Sequence, residues 1–365
     1  MSASSPAVYN MRRLPGADVS ETTVGFSRSR PKVMTARSLF ADLRLPLLCA
    51  PMSFASSLPL TLACCRAGIV GGWQGGNVRT IEEFEAYLTS LAEDRRRAEG
   101  EGRAYAPHAI NFPAAIVKDP ELGAQKLKLC EDHRVPVIFS SVGDPTEIVR
   151  RAHAWGGRVI HDAINVRHAE KAIAAGVDGL MLTCAGAGGH TGFLTPMAFV
   201  PKVRAMYDGV LLVGGGIATG SGIAAALALG ADLAVMGTRF IATKESGAVD
   251  GHKQMITATN MEDIMLSDVM NGIPAHWIRQ SLTHVGLDPD NLPPKRAPMR
   301  GAQMPEGVRP WRDIWSAGHS AGLIDDVPAA AEVVERLAAE FEAAPQAKDW
   351  RGRLATRFVG APVPA

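Results

Sequence analysis

VLLVGGGIATGSGIAAALALGADLAVMGTRF, residues 210–240, holds two short apolar runs, VLLVGGG at 210–216 and ADLAVMGT at 231–238, with an alanine-rich helical pattern at 221–229 between them. Both runs are continuously apolar rather than alternating, as expected of strands buried on both faces. Strand, helix, strand in this order predicts a parallel βα unit. The same alternation extends back from this unit toward the N-terminus. Apolar runs at 45–52, 68–73, 108–112, 135–141, 158–163 and 179–184 are followed by helical patterns at 58–67, 81–98, 122–133, 146–155, 167–175 and 197–207, and the last strand is followed by one at 246–258. Eight βα units predict an α/β protein of the (β/α)8 TIM barrel class. The competing doubly wound sheet would carry a G-x-G-x-x-G turn after its first strand, and here that turn reads PMSFASS.

This reading divides the chain into an N-terminal arm at 1–44, patterned only at 35–42 and expected beneath the barrel, the barrel at 45–259, and an α-rich C-terminal extension at 260–365. The extension contains a proline-rich loop at 286–310 and a final helix at 328–343, both expected to cover the barrel mouth. Lys and Arg total 38 against 37 Asp and Glu, a net charge of +1, which argues against a general affinity for nucleic acid. The five cysteines form no C-x-x-C pair and no Cys/His cluster, so no metal site is expected, and free thiols suit a reducing cytoplasm. No apolar stretch approaches the roughly 18 residues of a membrane span. The opening MSASSPAVYNMRRLPG lacks the apolar core of a signal peptide. A cytoplasmic protein with neither membrane nor nucleic-acid partner is therefore expected.

In this fold the chemistry sits where the strands end. Those ends carry Pro51, Met52 and Ser53; Gln74 and Asn77; Asn111; Ser140 and Ser141; His161 and Asp162; the segment 185–190; Gly214, Gly215 and Gly216; and Gly237 and Thr238. There is no lysine for a Schiff base and no glutamate pair for glycoside hydrolysis. Glycine turns after the last two strands let backbone N–H groups approach an anion, with a helix N-terminus behind them, which predicts a phosphorylated ligand. The alternative is that these glycines only make tight turns. His190, in the glycine-rich loop CAGAGGHTGFLTP, could act as acid, base or donor near neutral pH, or simply cap the next helix. His161 ends its strand beside Asp162 as a further candidate, though a satisfied core histidine is the preferred reading, and His108 starts its strand and belongs at the opposite, structural end.

These residues resemble the nitronate monooxygenase family, formerly called 2-nitropropane dioxygenases, which are FMN-dependent barrels. The resemblance is carried by APMSFASS at 50–57, GAGGHTG at 186–192, GGGIATGSGIAAALALGADLAVMGTRFIATKES at 214–246 and IWSAGHSAGLIDDVP at 314–328. It implies FMN as cofactor. Gly214, Gly215, Gly216, Met236, Gly237 and Thr238 would lie at the phosphate turns, and Ala50, Pro51 and Met52 along the isoalloxazine ring. Gln74, Asn77, Gly188 and Gly189 would lie near the flavin, Ser316 and Gly318 would form a C-terminal loop beside it, and His190 would be the catalytic base. Related quinone and enoyl reductases often place a lysine at the end of the fifth strand. This chain has HD there, leaving His161 as the available flavin-facing donor. A tyrosine cluster found in one subgroup after the eighth strand is also missing.

The function so implied is oxidation of an alkyl nitronate or similar carbanion with O2 to a carbonyl compound and nitrite, the neutral nitroalkane being a further possible substrate. One alternative is an NAD(P)H-dependent FMN reductase of quinones or enoyl thioesters. Another is a non-redox protein that keeps only the phosphate pocket.

Overall fold

The computed structural model describes residues 39–297 and 299–345. Most of the arm expected at 1–44 therefore lies outside the described residues. The elements, in chain order, are β1 (Leu47–Cys49), α1 (Leu58–Arg66), β2 (Val70–Gln74), α2 (Ile81–Gly100), β3 (His108–Pro113), α3 (Leu122–Asp132), β4 (Val137–Ser141), α4 (Thr146–Ala154), β5 (Arg158–Ala163), α5 (Val166–Ala174) and β6 (Gly179–Thr183). A two-residue strand β7 (Gly189–His190) precedes α6 (Pro196–Arg204), β8 (Val210–Gly214), α7 (Gly220–Ala228), β9 (Leu233–Met236) and the short α8 (Thr238–Ile241). After α9 (Asp250–Ala258), the extension holds β10 (Ile264–Ser267), β11 (Ala275–Ile278), α10 (Arg279–His284), the hairpin β12 (Lys295–Ala297) and β13 (Arg300–Ala302), and α11 (Ala330–Glu342).

Strands β1–β6, β8 and β9 close into one parallel barrel, with β9 returning to β1 through the pairs Leu47↔Ala234 and Cys49↔Met236. The (β/α)8 architecture read from the sequence is thus present. Because strand side chains alternate between faces, each strand feeds two separate cores. Leu48, Val70, Val137, Phe139, Ile160, Leu212 and Val235 fill the barrel interior, and Leu39, Phe40 and Leu43 pack against this group. Cys49, Ile138, Val159, Ala163, Leu182, Val213, Ala234 and Met236 point outward to the helices. This parity decides which strand-end residue faces the mouth.

Two expectations about the last third of the chain are corrected. The helix expected at 246–258 is α9, which packs not on the barrel but in a separate cluster over the mouth, where Ala248 and Ile256 meet Ile264, Ile278, Ala317 and Ile324. The final helix, expected over the mouth, instead lies in the outer layer. α11 buries Val333, Val334 and Leu337 in the same cluster as Cys64 of α1 and Ile223 of α7. It therefore closes the helical layer near the seam between β1 and β9, and each of those three side chains contributes about 1.5–3 kcal/mol by its burial. Arg44 pairs with Glu335 on the outside of this contact at 2.5 Å. Residues 264–278, which carry no regular pattern in the sequence, form β10 and β11, which join β7 in an antiparallel sheet of order β10–β11–β7. Among the described residues, no helix is long and apolar enough to cross a membrane.

Candidate functional site

A cavity of about 1160 Å³ opens at the C-terminal ends of the barrel strands. Its interior wall follows strand parity. Gln74, Asn111, Ser141, Asp162 and Thr183 continue the inward rows begun by Val70, Ala109, Phe139, Ile160 and Met181, and all five line the cavity. Ser141 Oγ donates to Asn111 Oδ1 at 3.4 Å, and Thr183 Oγ1 donates to Asp162 Oδ1. Gln74 Oε1 is buried without a hydrogen-bond partner. Burial pushes the Asp162 carboxyl up to about 6, opposed by the Thr183 hydrogen bond.

The two residues at the end of β5 are not equivalent. His161 shares the outward row with Val159 and Ala163, and it faces a side lobe of the cavity near His168 and Asp144. Its Nδ1 is buried and unpartnered, and burial lowers the imidazole to about 4, so the ring is neutral. The sequence reading offered His161 as the cofactor-facing donor. Strand parity puts it on the outer face and gives the inner face to Asp162.

The glycine turns are shaped for close backbone approach. Gly215 and Gly216 have φ of 143° and 71°, a region that favours glycine. A Cβ on Gly215 would lie 2.8 Å from the Ala185 carbonyl, whereas one on Gly216 would meet nothing within 4 Å. Gly237 differs: its φ is −102°, and an added Cβ would sit 3.4 Å from Met52 Sδ and 3.6 Å from Ala50 Cβ, ordinary contacts. The helix N-terminus expected behind the first turn is already occupied. Glu340 Oε2 of α11 accepts from the Gly220 N–H at 2.7 Å, and Thr219 caps the next turn. A carboxylate at that end would repel an anion, so the turn backbone and not the α7 dipole is left to bind one.

The remaining expected residues fall into lining and bracing groups. Ala50, Pro51, Met52, Gly188, Gly189, Gly214, Thr238 and Ser316 line the cavity, but Asn77, Met236 and Gly318 do not. Asn77 is a brace: its Nδ2 donates to the carbonyls of Met52 and Ser56, each at 3.1 Å, while its Oδ1 accepts from the Phe54 N–H at 3.1 Å. Met236 lies on the outer row, and its carbonyl accepts from the Ala50 N–H at 2.9 Å. Gly318 packs against Gly188, and its N–H donates to Thr238 Oγ1 at 2.9 Å. Ser316 Oγ accepts from the Gly189 N–H at 2.8 Å and donates to the His276 carbonyl at 2.6 Å. The segment 316–318 thus ties the loop after β6 to the loop after β9.

His190 stands on the rim in β7, paired with Ala275 of β11. One side of the ring is exposed, and the other meets the Trp311 ring edge-on at 5.2 Å. Asn271 Nδ2 lies 2.9 Å from His190 Nε2, and Asn271 Oδ1 accepts from the Ile273 N–H at 3.1 Å. That second bond sets the amide orientation, so the amide nitrogen donates and His190 Nε2 accepts. Partial burial lowers the imidazole below its ordinary range, which favours the neutral ring. Asn271 was not anticipated from the sequence. The Asn271–Gly272 dipeptide signals a turn, but nothing local connects it to a histidine 81 residues earlier. The five cysteines are free and buried, and none lines the cavity.

Residues 91–340 match the profile of the nitronate monooxygenase family. The nitronate monooxygenase of Paraburkholderia phytofirmans is 26% identical over 343 residues, covering 81% of this chain and 92% of that protein. Rv1533 of Mycobacterium tuberculosis, a candidate monooxygenase, is 32% identical over 225 residues, 57% of this chain and 60% of its own length. An indene-carboxyl-CoA dehydrogenase of Rhodococcus jostii is 29% identical over 178 residues, 49% of each chain. The matches with these last two proteins therefore span three-fifths or less of their lengths. Among solved structures, a nitroalkane oxidase of Streptomyces ansochromogenes superposes with a TM-score of 0.64 at 25% identity, over 87% of this chain and 99% of that one.

Proposed function

The chain belongs to the nitronate monooxygenase family, a family of oxidoreductases, and from that premise we propose that it uses FMN to oxidise alkyl nitronates, and nitroalkanes through them, with O2 to a carbonyl compound and nitrite. The observation that carries this reading is a neutral histidine with a defined tautomer, His190, on the rim of a cavity whose walls are glycine turns and buried polar groups. A flavin fits those walls. The unpartnered Gln74 Oε1 offers an acceptor to a ring N–H, and the open space at Gly216 admits a phosphate to backbone N–H groups. Bound there, the flavin would supply the electron acceptor and the reaction with O2.

The protein's own part is acid–base chemistry and position. His190 would accept the α-proton of a neutral nitroalkane, leaving the negative charge on the nitro oxygens. Deprotonation by neutral imidazole requires a free lone pair, so the Asn271 hydrogen bond at Nε2 must be exchanged for the substrate's proton. Asp162, held largely protonated below about pH 6, could donate a hydrogen bond inside the barrel without repelling an anionic substrate. Asn77 and the 316–318 segment keep the walls in register.

A second reading is an NAD(P)H-dependent reductase of quinones or enoyl thioesters. It draws support from the relative named as acting on a carboxyl-CoA compound. The visible spectrum of the purified protein, followed by anaerobic bleaching with nitronate and separately with NADPH, tests both. A nitronate that bleaches the flavin while NADPH does not supports the first reading, and the reverse supports the second. A colourless protein that takes up no added FMN overturns both.

A further inference from the structure

A second concavity of about 890 Å³ lies beside the barrel mouth, walled by the β12–β13 hairpin and the segment that follows it. Three arginines line it: Arg296, Arg300 and Arg309. Cations elsewhere in the extension are neutralised, Lys295 by Asp268, Arg279 by Asp290 and Arg312 by Asp313. Arg296 and Arg300 form no ion pair with a carboxylate of the described residues, and Arg296 spends only Nε, on the Gly301 carbonyl at 3.0 Å, whereas Arg309 shares Asp313 with Arg312. Glu306 is the single acidic residue of the groove wall. An excess of two positive charges in a concave surface is a site for an anion, and planar guanidinium forks match phosphate oxygens in pairs.

The groove adjoins the barrel cavity, since Met299 and Trp311 belong to the walls of both. These two residues also have backbone φ of 60° and 72°, left-handed values for side chains that ordinarily avoid them. Both lie in turns, Met299 between β12 and β13 and Trp311 between the bridged Pro310 and Ile314, where left-handed values occur. Trp311 touches His190 as well, so the shared wall reaches the candidate base. Asn271, the partner of His190, lines the groove itself.

We propose that this groove binds the phosphate-bearing tail of a ligand whose reacting end enters the barrel mouth. The chemistry is that shared by nicotinamide dinucleotides and coenzyme A thioesters: charged phosphates on a flexible stem longer than the cavity can hold. The proposal rests on the redox reading of the barrel cavity but not on which small substrate is oxidised there.

The test uses the holoenzyme and a triple variant, Arg296→Ala with Arg300→Ala and Arg309→Ala, alongside the single charge reversal Arg300→Glu. Thermal unfolding checks that both remain folded. Binding of NADPH and of acetyl-CoA is measured by calorimetry at low and at physiological salt, and steady-state kinetics are measured with ethyl nitronate, which carries no phosphate. At least one phosphate-bearing ligand should bind the parent in a salt-dependent way. The triple variant should bind it at least about tenfold more weakly, a loss of about 1.4 kcal/mol, while KM for ethyl nitronate stays unchanged. Binding of NADPH alone would identify the ligand as a reductant, and binding of acetyl-CoA alone would identify it as a substrate. The proposal is overturned if neither binds the parent, or if the triple variant binds as tightly as the parent. Either result leaves nitronate oxidation intact, whereas failure of the redox reading would appear as a protein inert toward nitronate and reductant alike.

Discussion

The Asn271 side-chain amide donates to Nε2 of His190 at 2.9 Å, which places the imidazole proton on Nδ1. The bond joins the loop after β10 to β7, so two segments of the cap must be assembled before the histidine has a defined tautomer. It also favours the neutral ring, in the same direction as the burial that lowers its pKa. For Asn271→Leu, the acid limb of the kcat/KM profile with a neutral nitroalkane should move to higher pH, because the neutral form loses its donor. The parent limb should lie below the ordinary 6.5 of a free histidine. An identical limb in both proteins would mean that the amide has no influence on the base.

His190→Asn separates proton abstraction from positioning. General-base assistance contributes about 10²–10⁴-fold, so flavin reduction by a neutral nitroalkane should slow by that order in stopped-flow traces. A preformed nitronate has already lost the proton and should be much less affected. Equal losses on both substrates would assign His190 to orienting the nitro group. No loss on either would remove it from the chemistry.

Gly237→Val probes the ligand space without breaking the fold. Gly237 has a right-handed backbone, and its added Cβ would make only ordinary contacts with Met52 and Ala50. The variant should unfold within a few degrees of the parent yet lose most of its flavin absorbance. A folded variant with full colour would place the phosphate elsewhere. Gly215 cannot serve for this test, because a side chain there runs into the Ala185 carbonyl at 2.8 Å.

Asp162→Asn should change how stability depends on pH. The carboxyl titrates near 6 in the folded chain, raised from 3.8 when free. Between those values the folded protein holds a proton that the unfolded chain has released, so the group's contribution falls as pH rises through that window. Asparagine cannot ionise. The Tm of the variant relative to the parent should therefore rise from pH 4 to pH 8, as followed by thermal denaturation. A constant difference across that range would mean that Asp162 is not held in its acid form.

What could be read from the chain alone was whatever is periodic or local. Continuous apolar runs and the helices between them announced eight parallel strands, and the glycine turns at 214–216 and 237 stood out by composition, although only Gly215 and Gly216 have backbone angles that favour glycine. His190 was legible by its neighbours, a histidine among small residues after a strand. The face of a strand was not legible where both faces are apolar, so His161 and Asp162 could not be ranked until the register with β4 and β6 set Asp162 inward. The pattern of α11 showed that it had an apolar face but not what would cover it. Packing against α1 and α7 decided that, and it carried Glu340 to the Gly220 amide 120 residues away. The Asn271–His190 bond and the arginine groove are of the same kind. They depend on segments distant in sequence meeting over the barrel mouth, and hydrophobic period and turn chemistry report only on a residue's immediate surroundings.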